Sequence, residues 1–177
     1  MVNKGDFHYL HFADKPGLAL AQAPYDPDLA KRLHAGGKVS EWETLGFVLD
    51  GGIVVDYLAN SYAFRLCSQR LRDVIDSQLG DGDTLQWLPS VAIDPAGTDL
   101  LYWVLHFPEV PDVINRTKSV FSGSVMVKAC LDAELVAGHR VFTLSHYGVY
   151  LVVADQVKDA IKKAGCSGLE FSKVPKA

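Results

Sequence analysis

Short apolar runs bounded by turn residues fill the second half of the chain, and their spacing limits the possible folds more than any other feature. They lie at residues 85–93, 100–107, 124–131, 141–144, 149–153 and 169–174. Runs of this length between turns are typical of β-strands. Because these strands outnumber the helical patterns and rarely alternate with them, the sequence predicts a single-domain α+β fold with a mixed or mostly antiparallel sheet.

The N-terminal part of the chain predicts further strands and one short helix. Residues 7–12 are rich in aromatic side chains and have the composition of a strand. Apolar runs at 45–49 and 53–55, separated by Asp50-Gly51-Gly52, predict a hairpin or two short strands. Asp26 is a suitable N-cap for the short N-terminal helix, which we expect to end at Gly36.

Two amphipathic patterns predict the principal helices of the fold. Residues 68–79 carry one apolar stripe between a Ser68 cap and a Gly80 stop, and residues 155–164 carry a second stripe that ends before Gly165. We expect these stripes to supply core residues, namely Leu71, Ile75, Val157 and Ile161.

Residues 64–75 and 150–161 share the same order of strand, tight turn and amphipathic helix. Two interpretations remain open. Any βαβ unit produces this order, and an internal repeat would produce it as well.

Length and composition predict one cytoplasmic domain that spans residues 1–177. A chain of 177 residues with 49% hydrophobic and 21% charged side chains can bury its own core, and no Gly-, Ser- or Pro-rich linker divides it. The net charge of −4 argues against binding to nucleic acid. The N-terminus lacks a signal-peptide pattern, and no apolar run is long enough for a membrane span. The separated cysteines predict reduced, buried thiols; they are Cys67, Cys130 and Cys166.

No pattern in the sequence predicts a metal site, a cofactor site or a catalytic site. His8 and His11 have a spacing that suits a metal site on a helix, but residues three apart on a strand point to opposite faces. The acidic loop Gly80-Asp81-Gly82-Asp83 lacks the remaining ligands of a calcium-binding loop. We therefore predict that the protein is not an enzyme, needs no cofactor and binds no metal tightly.

The segment Glu41-Trp42-Glu43 places a large aromatic residue between two acids. In one interpretation Trp42 anchors a loop on the core, because tryptophan is highly buried on average. In the other, an exposed Trp42 with an acidic rim forms a binding hot spot. The candidate partner-binding residues are Glu41, Trp42, Glu43, Asp81 and Asp83.

Several further motifs occur together in one known family. They are Asp56-Tyr57-Leu58-Ala59-Asn60, residues 67–75, Leu85-Gln86-Trp87-Leu88-Pro89, Tyr102-Trp103-Val104-Leu105, residues 113–119, residues 155–161 and Gly168-Leu169-Glu170-Phe171. Through them the chain resembles immunity protein family eleven of bacterial polymorphic toxin systems over roughly residues 45–174. The chain departs from the family at Asn115, where an acid is often found. It also lacks the paired Cys-x-x-Cys-Gly motifs of related myxobacterial proteins.

The resemblance implies a cytoplasmic α+β protein that neutralises a cognate protein toxin by stoichiometric binding and has no catalytic residues. An acidic patch at Trp42 would then engage the basic cleft of a nuclease-type toxin and speed association. One alternative is a small-ligand-binding protein or an enzyme of unknown specificity, which would need a deep pocket with convergent polar groups. Another is a structural module in a larger assembly. The sequence makes no prediction of the oligomeric state.

Overall fold

The computed structural model describes residues 5–144 and 147–177. Its helices are α1 (Pro27–Ala35), α2 (Gln69–Asp76) and α3 (Asp155–Lys163). Its strands are β1 (Phe7–Phe12), β2 (Ala21–Gln22), β3 (Leu45–Leu49), β4 (Tyr57–Leu58), β5 (Arg65–Ser68), β6 (Gln86–Ile93), β7 (Asp99–His106), β8 (Val120–Ser122), β9 (Val125–Lys128), β10 (Val141–Leu144), β11 (Tyr147–Ala154) and β12 (Leu169–Val174). The described residues form an α+β fold in which sheet predominates.

The strands divide between two large sheets and one small hairpin. The four-stranded sheet has the order β10-β11-β1-β12, and all its neighbours are antiparallel. The six-stranded sheet has the order β2-β3-β6-β7-β5-β4 and is mixed, because β3 and β6 are parallel. Among the described strands, β8 and β9 pair only with each other. The expectation of one sheet is therefore wrong, because apolar alternation identifies a strand's buried face but not the strand beside it.

The expected contrast between two principal helices and one short N-terminal helix is not seen, because α1 and α3 have nine residues each and α2 has eight. Helices α2 and α3 belong to βαβ units of the same design. Strand β5, helix α2 and strand β6 form the first unit, and β11, α3 and β12 form the second. In each unit a third strand lies between the two and is antiparallel to both, namely β7 in the first and β1 in the second. Helices α2 and α3 contact each other, so they join the two sheets.

Two hydrophobic clusters form the core. The first lies between the sheets and around α2 and α3, and the second lies between the six-stranded sheet and α1. The predicted core residues Leu71, Ile75, Val157 and Ile161 all have no exposed surface in the first cluster, which confirms that prediction. Each cluster combines residues from before and after position 60.

Arg65 is a buried charge that links the two sheets. From β5 its Nη2 atom donates to Thr143 Oγ1 at 2.9 Å and to the Tyr150 carbonyl at 3.3 Å. Its guanidinium also lies 4.8 Å from the centre of the Phe107 ring. Burial lowers the pKa of Arg65 to about 10, so the side chain stays charged at neutral pH. Arg65 therefore fixes how the sheets face each other.

The ends of the helices follow their caps. Asp26 accepts a hydrogen bond from Leu29 N at 2.9 Å, and α1 ends before Gly36, as expected. Ser68 caps α2 by accepting from Leu71 N at 3.2 Å. Helix α2 ends at Asp76, however, and not near Gly80. The Ser77 hydroxyl donates to the Val74 carbonyl at 2.7 Å, so this side chain satisfies a carbonyl at the end of the helix and ends it early.

Three other expectations need correction. The Asp50-Gly51-Gly52 turn makes no hairpin with β3, because the chain after it pairs with the segment before β2: Ile53 N donates to the Gly17 carbonyl at 2.8 Å. Residues 124–131 are not one strand, since they contain only the second strand of the β8–β9 hairpin. Cys166 is half-buried, whereas the other two cysteines are buried. Within the described residues, no helix is both long and apolar enough to cross a bilayer.

Candidate partner-binding site

Trp42 lies in the segment between α1 and β3, and its contacts agree with the first interpretation, in which it anchors a loop on the core. Its indole Nε1 donates to the Pro89 carbonyl on β6 at 2.8 Å, and its ring packs against the second hydrophobic cluster. Trp42 is only partly buried, and it lines a groove at the surface. Trp42 therefore anchors the segment and also contributes apolar surface.

The segment that carries Trp42 has no regular secondary structure, yet it is fixed to the sheet at several points. The Gln86 side chain donates to the Val39 carbonyl at 2.6 Å and accepts from Val39 N at 3.0 Å. Gly37 N donates to the Pro108 carbonyl at 2.8 Å. These bonds use backbone groups that a loop would otherwise leave to water, and they hold Trp42 in one position.

Three carboxylates surround a groove beside Trp42, which we call the acidic groove. It has a volume of about 400 Å³ and is lined by Asp26, Leu29, Glu41, Trp42, Glu43 and Leu45. Glu41 and Glu43 are exposed. The three acidic residues of the lining would complement a bound cationic side chain. The groove is therefore suited to a basic, partly apolar segment.

Asp26 was not among the residues that the sequence singled out for binding. Its carboxylate caps α1, and its backbone N–H donates to the Tyr62 hydroxyl at 2.7 Å. The sequence predicted Asp26 as a helix cap. It did not predict that the chain after α1 returns and places Glu41 beside the same groove.

Asp81 and Asp83 lie in the turn before β6 and are not among the residues that line the acidic groove. The Asp83 side chain has no exposed surface. It accepts hydrogen bonds from the backbone N–H groups of Gly80 at 2.8 Å, Arg140 at 3.0 Å and Val141 at 3.0 Å. Asp83 therefore joins this turn to β10 and is not presented to a partner, whereas Asp81 is exposed.

The two histidines of β1 contact different parts of the protein. His8 Nε2 lies 2.7 Å from Asp155 Oδ1 at the start of α3. His11 Nε2 lies 2.7 Å from the Ser172 hydroxyl on β12. Among the residues that the structure describes, no group of three or more His, Cys, Asp or Glu side chains could hold a metal ion.

Asp56 is the centre of a polar cluster built from several of the motif residues. Its carboxylate accepts from the Ser68 hydroxyl at 2.6 Å, from Arg70 Nη2 at 2.5 Å and from Ser167 N at 2.8 Å. Burial alone would raise the pKa of Asp56, but the hydrogen bonds from Arg70, Ser68 and Ser167 outweigh it and lower the pKa to about 2. The cluster ties the start of α2 to the segments before β4 and before β12.

The tryptophans of the motifs hold α2 on the six-stranded sheet. Trp103 Nε1 donates to Gln69 Oε1 at 2.8 Å, and Trp87 Nε1 donates to Asp76 Oδ1 at 2.7 Å. The Arg72 guanidinium lies 3.9 Å from the centre of the Trp103 ring, within cation–π distance. These motif residues therefore hold α2 against the six-stranded sheet.

Comparison with known proteins gives one family. The sequence model of the immunity protein family Imm11 matches residues 48–176. No curated protein matches the chain. The matched range includes the Asp56 cluster and both βαβ units, whereas Glu41, Trp42 and Glu43 lie just before it.

Proposed function

Because the chain belongs to the Imm11 immunity protein family, we propose that it neutralises a cognate bacterial toxin by forming a stoichiometric complex with it. The family match over most of the chain is the observation that carries this proposal. The arrangement of the motif residues supports it, because the contacts of Asp56, Trp87 and Trp103 hold the elements of the fold together.

The acidic groove is our proposed contact surface for the toxin. It offers Trp42 as an aromatic anchor, with Glu41 and Glu43 exposed at its rim. Aromatic residues at the centre of a charged rim are frequent hot spots of interfaces. Nuclease-type toxins need basic clefts to bind phosphate backbones, so an acidic groove complements such a cleft and speeds association.

We further propose that residues 1–177 act as one binding unit in the cytoplasm, where a toxin that attacks internal targets would be met. The combination of early and late residues in both hydrophobic clusters supports a single unit. In this proposal the protein acts by covering the toxin and needs no turnover, metal or cofactor. A stable inhibitory complex would bury about 800 Å² on each partner, more than the acidic groove alone provides.

Co-expression with the cognate toxin, sought among the products of the neighbouring genes, tests the proposal. We expect cells to survive toxin induction only when this protein is present, and the two proteins to elute together after purification. Loss of protection with a folded protein and no complex would contradict the proposal. An unrelated immunity protein expressed at the same level is the control for nonspecific relief.

A further inference from the structure

The turn at residues 80–83 forms one wall of a cavity near the start of β10, which we call the His139 pocket. Its volume is about 250 Å³, and its lining includes Gly82, Thr84, Phe107, Glu109, His139 and Phe142. Pockets for drug-sized ligands have volumes of roughly 300 to 1,000 Å³. This smaller cavity is therefore suited to a single functional group on a short stem.

The buried Asp83 orients the imidazole of His139 in this pocket. His139 Nδ1 lies 3.4 Å from Asp83 Oδ1, and although Nδ1 is buried it has no well-aligned hydrogen bond, so the contact is mainly electrostatic. Backbone N–H groups of Arg140 and Val141 hold the Asp83 carboxylate at 3.0 Å each. Gly82 leaves room for the ring, because a Cβ there would lie 2.9 Å from His139 Cε1. A neutral ring with its hydrogen on Nδ1, facing the carboxylate, leaves Nε2 as an acceptor.

The remaining polar groups of the pocket give it an excess of acceptors and of negative charge. Glu109 is exposed and forms no ion pair with any residue that the structure describes. Thr84 adds a hydroxyl, and no lysine or arginine of the described chain is among the lining residues. Arg65 contacts the Phe107 ring, but its guanidinium already donates to Thr143 and to backbone carbonyls.

We propose that the His139 pocket binds a guanidinium group on an apolar stem, the chemistry of an arginine side chain or of a free alkylguanidine. The planar guanidinium donates two parallel hydrogen bonds to the Glu109 carboxylate and a further one to His139 Nε2, while its stem packs on Phe107 and Val110. The pocket shares no lining residue with the acidic groove, so the inference does not rest on the proposed function.

The chemistry of the pocket favours this ligand over three others. An ammonium group is more strongly hydrated than a guanidinium, so it loses more on entering a pocket with apolar walls. A carboxylate would be repelled by Glu109. Among the described residues no group of three or more His, Cys, Asp or Glu side chains could hold a metal ion.

The probe is butylguanidinium, titrated into the full-length protein at low salt. Binding is followed by the NMR signal of the His139 Cε1–H group, which is assigned by its loss in His139→Gln. We expect a saturable shift of this signal and about a tenfold loss of affinity in Glu109→Gln, which removes the charge from the hydrogen bonds. The matched control is Glu170→Gln, an exposed glutamate on β12, at the other edge of the four-stranded sheet from β10. We expect it to bind the probe like the unaltered protein.

Gly82→Ala tests the position of the imidazole while leaving the Glu109 charge in place. Gly82 has no left-handed φ, so its backbone accommodates alanine, but the added Cβ displaces the His139 ring. We expect weaker binding of butylguanidinium in this variant, with the other histidine signals unchanged as evidence that the fold is intact. Unchanged affinity in folded Gly82→Ala would overturn the role of His139.

Four further results would overturn the inference. They are an absence of saturable binding, equal losses in Glu109→Gln and Glu170→Gln, equal binding of the uncharged butylurea, and tighter binding of butylammonium. A capped Gly-Arg-Gly peptide distinguishes the two sources of the group. Tighter binding of the peptide than of butylguanidinium assigns the pocket to an arginine of a partner protein, and exclusion of the peptide assigns it to a free guanidine. Either of these two results supports guanidinium recognition.

Discussion

The Ser68 hydroxyl lies 2.6 Å from Asp56 Oδ1 and accepts from Leu71 N at 3.2 Å, so one serine both caps α2 and fastens it to Asp56. Arg70 and Ser167 bind the same carboxylate. Because three separate segments meet at this side chain, its charge contributes to the stability of the whole fold.

Replacing Asp56 with Asn should lower the free energy of unfolding by about 2 kcal/mol at pH 7. The folded pKa of about 2 lies below the ordinary value of 3.8, so the charged form is favoured by folding. This contribution is complete above the ordinary pKa and is lost as pH falls through the folded pKa. Urea melts should therefore show the two proteins converging between pH 4 and pH 2.

Asp159→Asn is the control for that experiment, since Asp159 is exposed on α3. We expect its stability to follow that of the unaltered protein across the same pH range. A difference between Asp56→Asn and the unaltered protein that stays constant down to pH 2 would contradict the assigned role of the Asp56 charge.

Gly168 should not tolerate a side chain. It has a φ of 79°, and a Cβ there would overlap the Val55 side chain and lie 2.8 Å from the Tyr57 carbonyl oxygen. We expect Gly168→Ala to lower the free energy of unfolding by about 2 kcal/mol or more. Gly97 has a φ of 83° with open space around it, so Gly97→Ala measures the backbone cost alone. If Gly168→Ala and Gly97→Ala lower the free energy of unfolding equally, the overlap of a Cβ at position 168 with Val55 does not destabilise the protein.

Truncation of the helix stripes should be costly because the removed groups are fully buried. We expect Leu71→Ala and Ile161→Ala each to lower the free energy of unfolding by about 2 to 4 kcal/mol. The exposed Lys163→Ala should change it by less than about 0.5 kcal/mol. Losses near zero at the two buried positions in chemical denaturation would refute the packing described for α2 and α3.

The local parts of the fold could be predicted from the sequence because their signals are local. Asp26 caps α1, Ser68 caps α2, and the apolar stripe of α2 is buried where its spacing indicates. The end of α2 was missed because a Ser77 hydroxyl competes for a carbonyl, which apolar spacing does not reveal. The division into two sheets was missed because it depends on contacts between distant segments, such as Arg65 with Thr143.

At the candidate site, too, contacts between distant segments could not be predicted from the sequence. Trp42 and its acidic neighbours could be found by composition, and the structure adds Asp26 to the same groove. Asp83 was selected for its charge, but its side chain satisfies three backbone N–H groups. No sequence signal distinguished Asp83 from Asp81, because the partner residues Arg140 and Val141 lie far along the chain.

Charge reversal at the acidic groove should slow binding to the toxin. We expect Glu41→Lys with Glu43→Lys to lower the association rate constant by about tenfold at low salt, with a smaller effect on dissociation. The control pair Glu134→Lys with Asp159→Lys changes the net charge equally on other exposed sites. If the rates are unchanged, these two glutamates do not contact the toxin, although the immunity function itself would stand.

Titration of the toxin's activity with this protein tests the central claim most directly. A binding inhibitor should reduce the activity in proportion to the amount added and abolish it at one equivalent, with no further change on longer incubation. Full inactivation by a small fraction of one equivalent, increasing with time, would show turnover and contradict stoichiometric binding. Undiminished toxin activity at an excess of folded protein would contradict it as well.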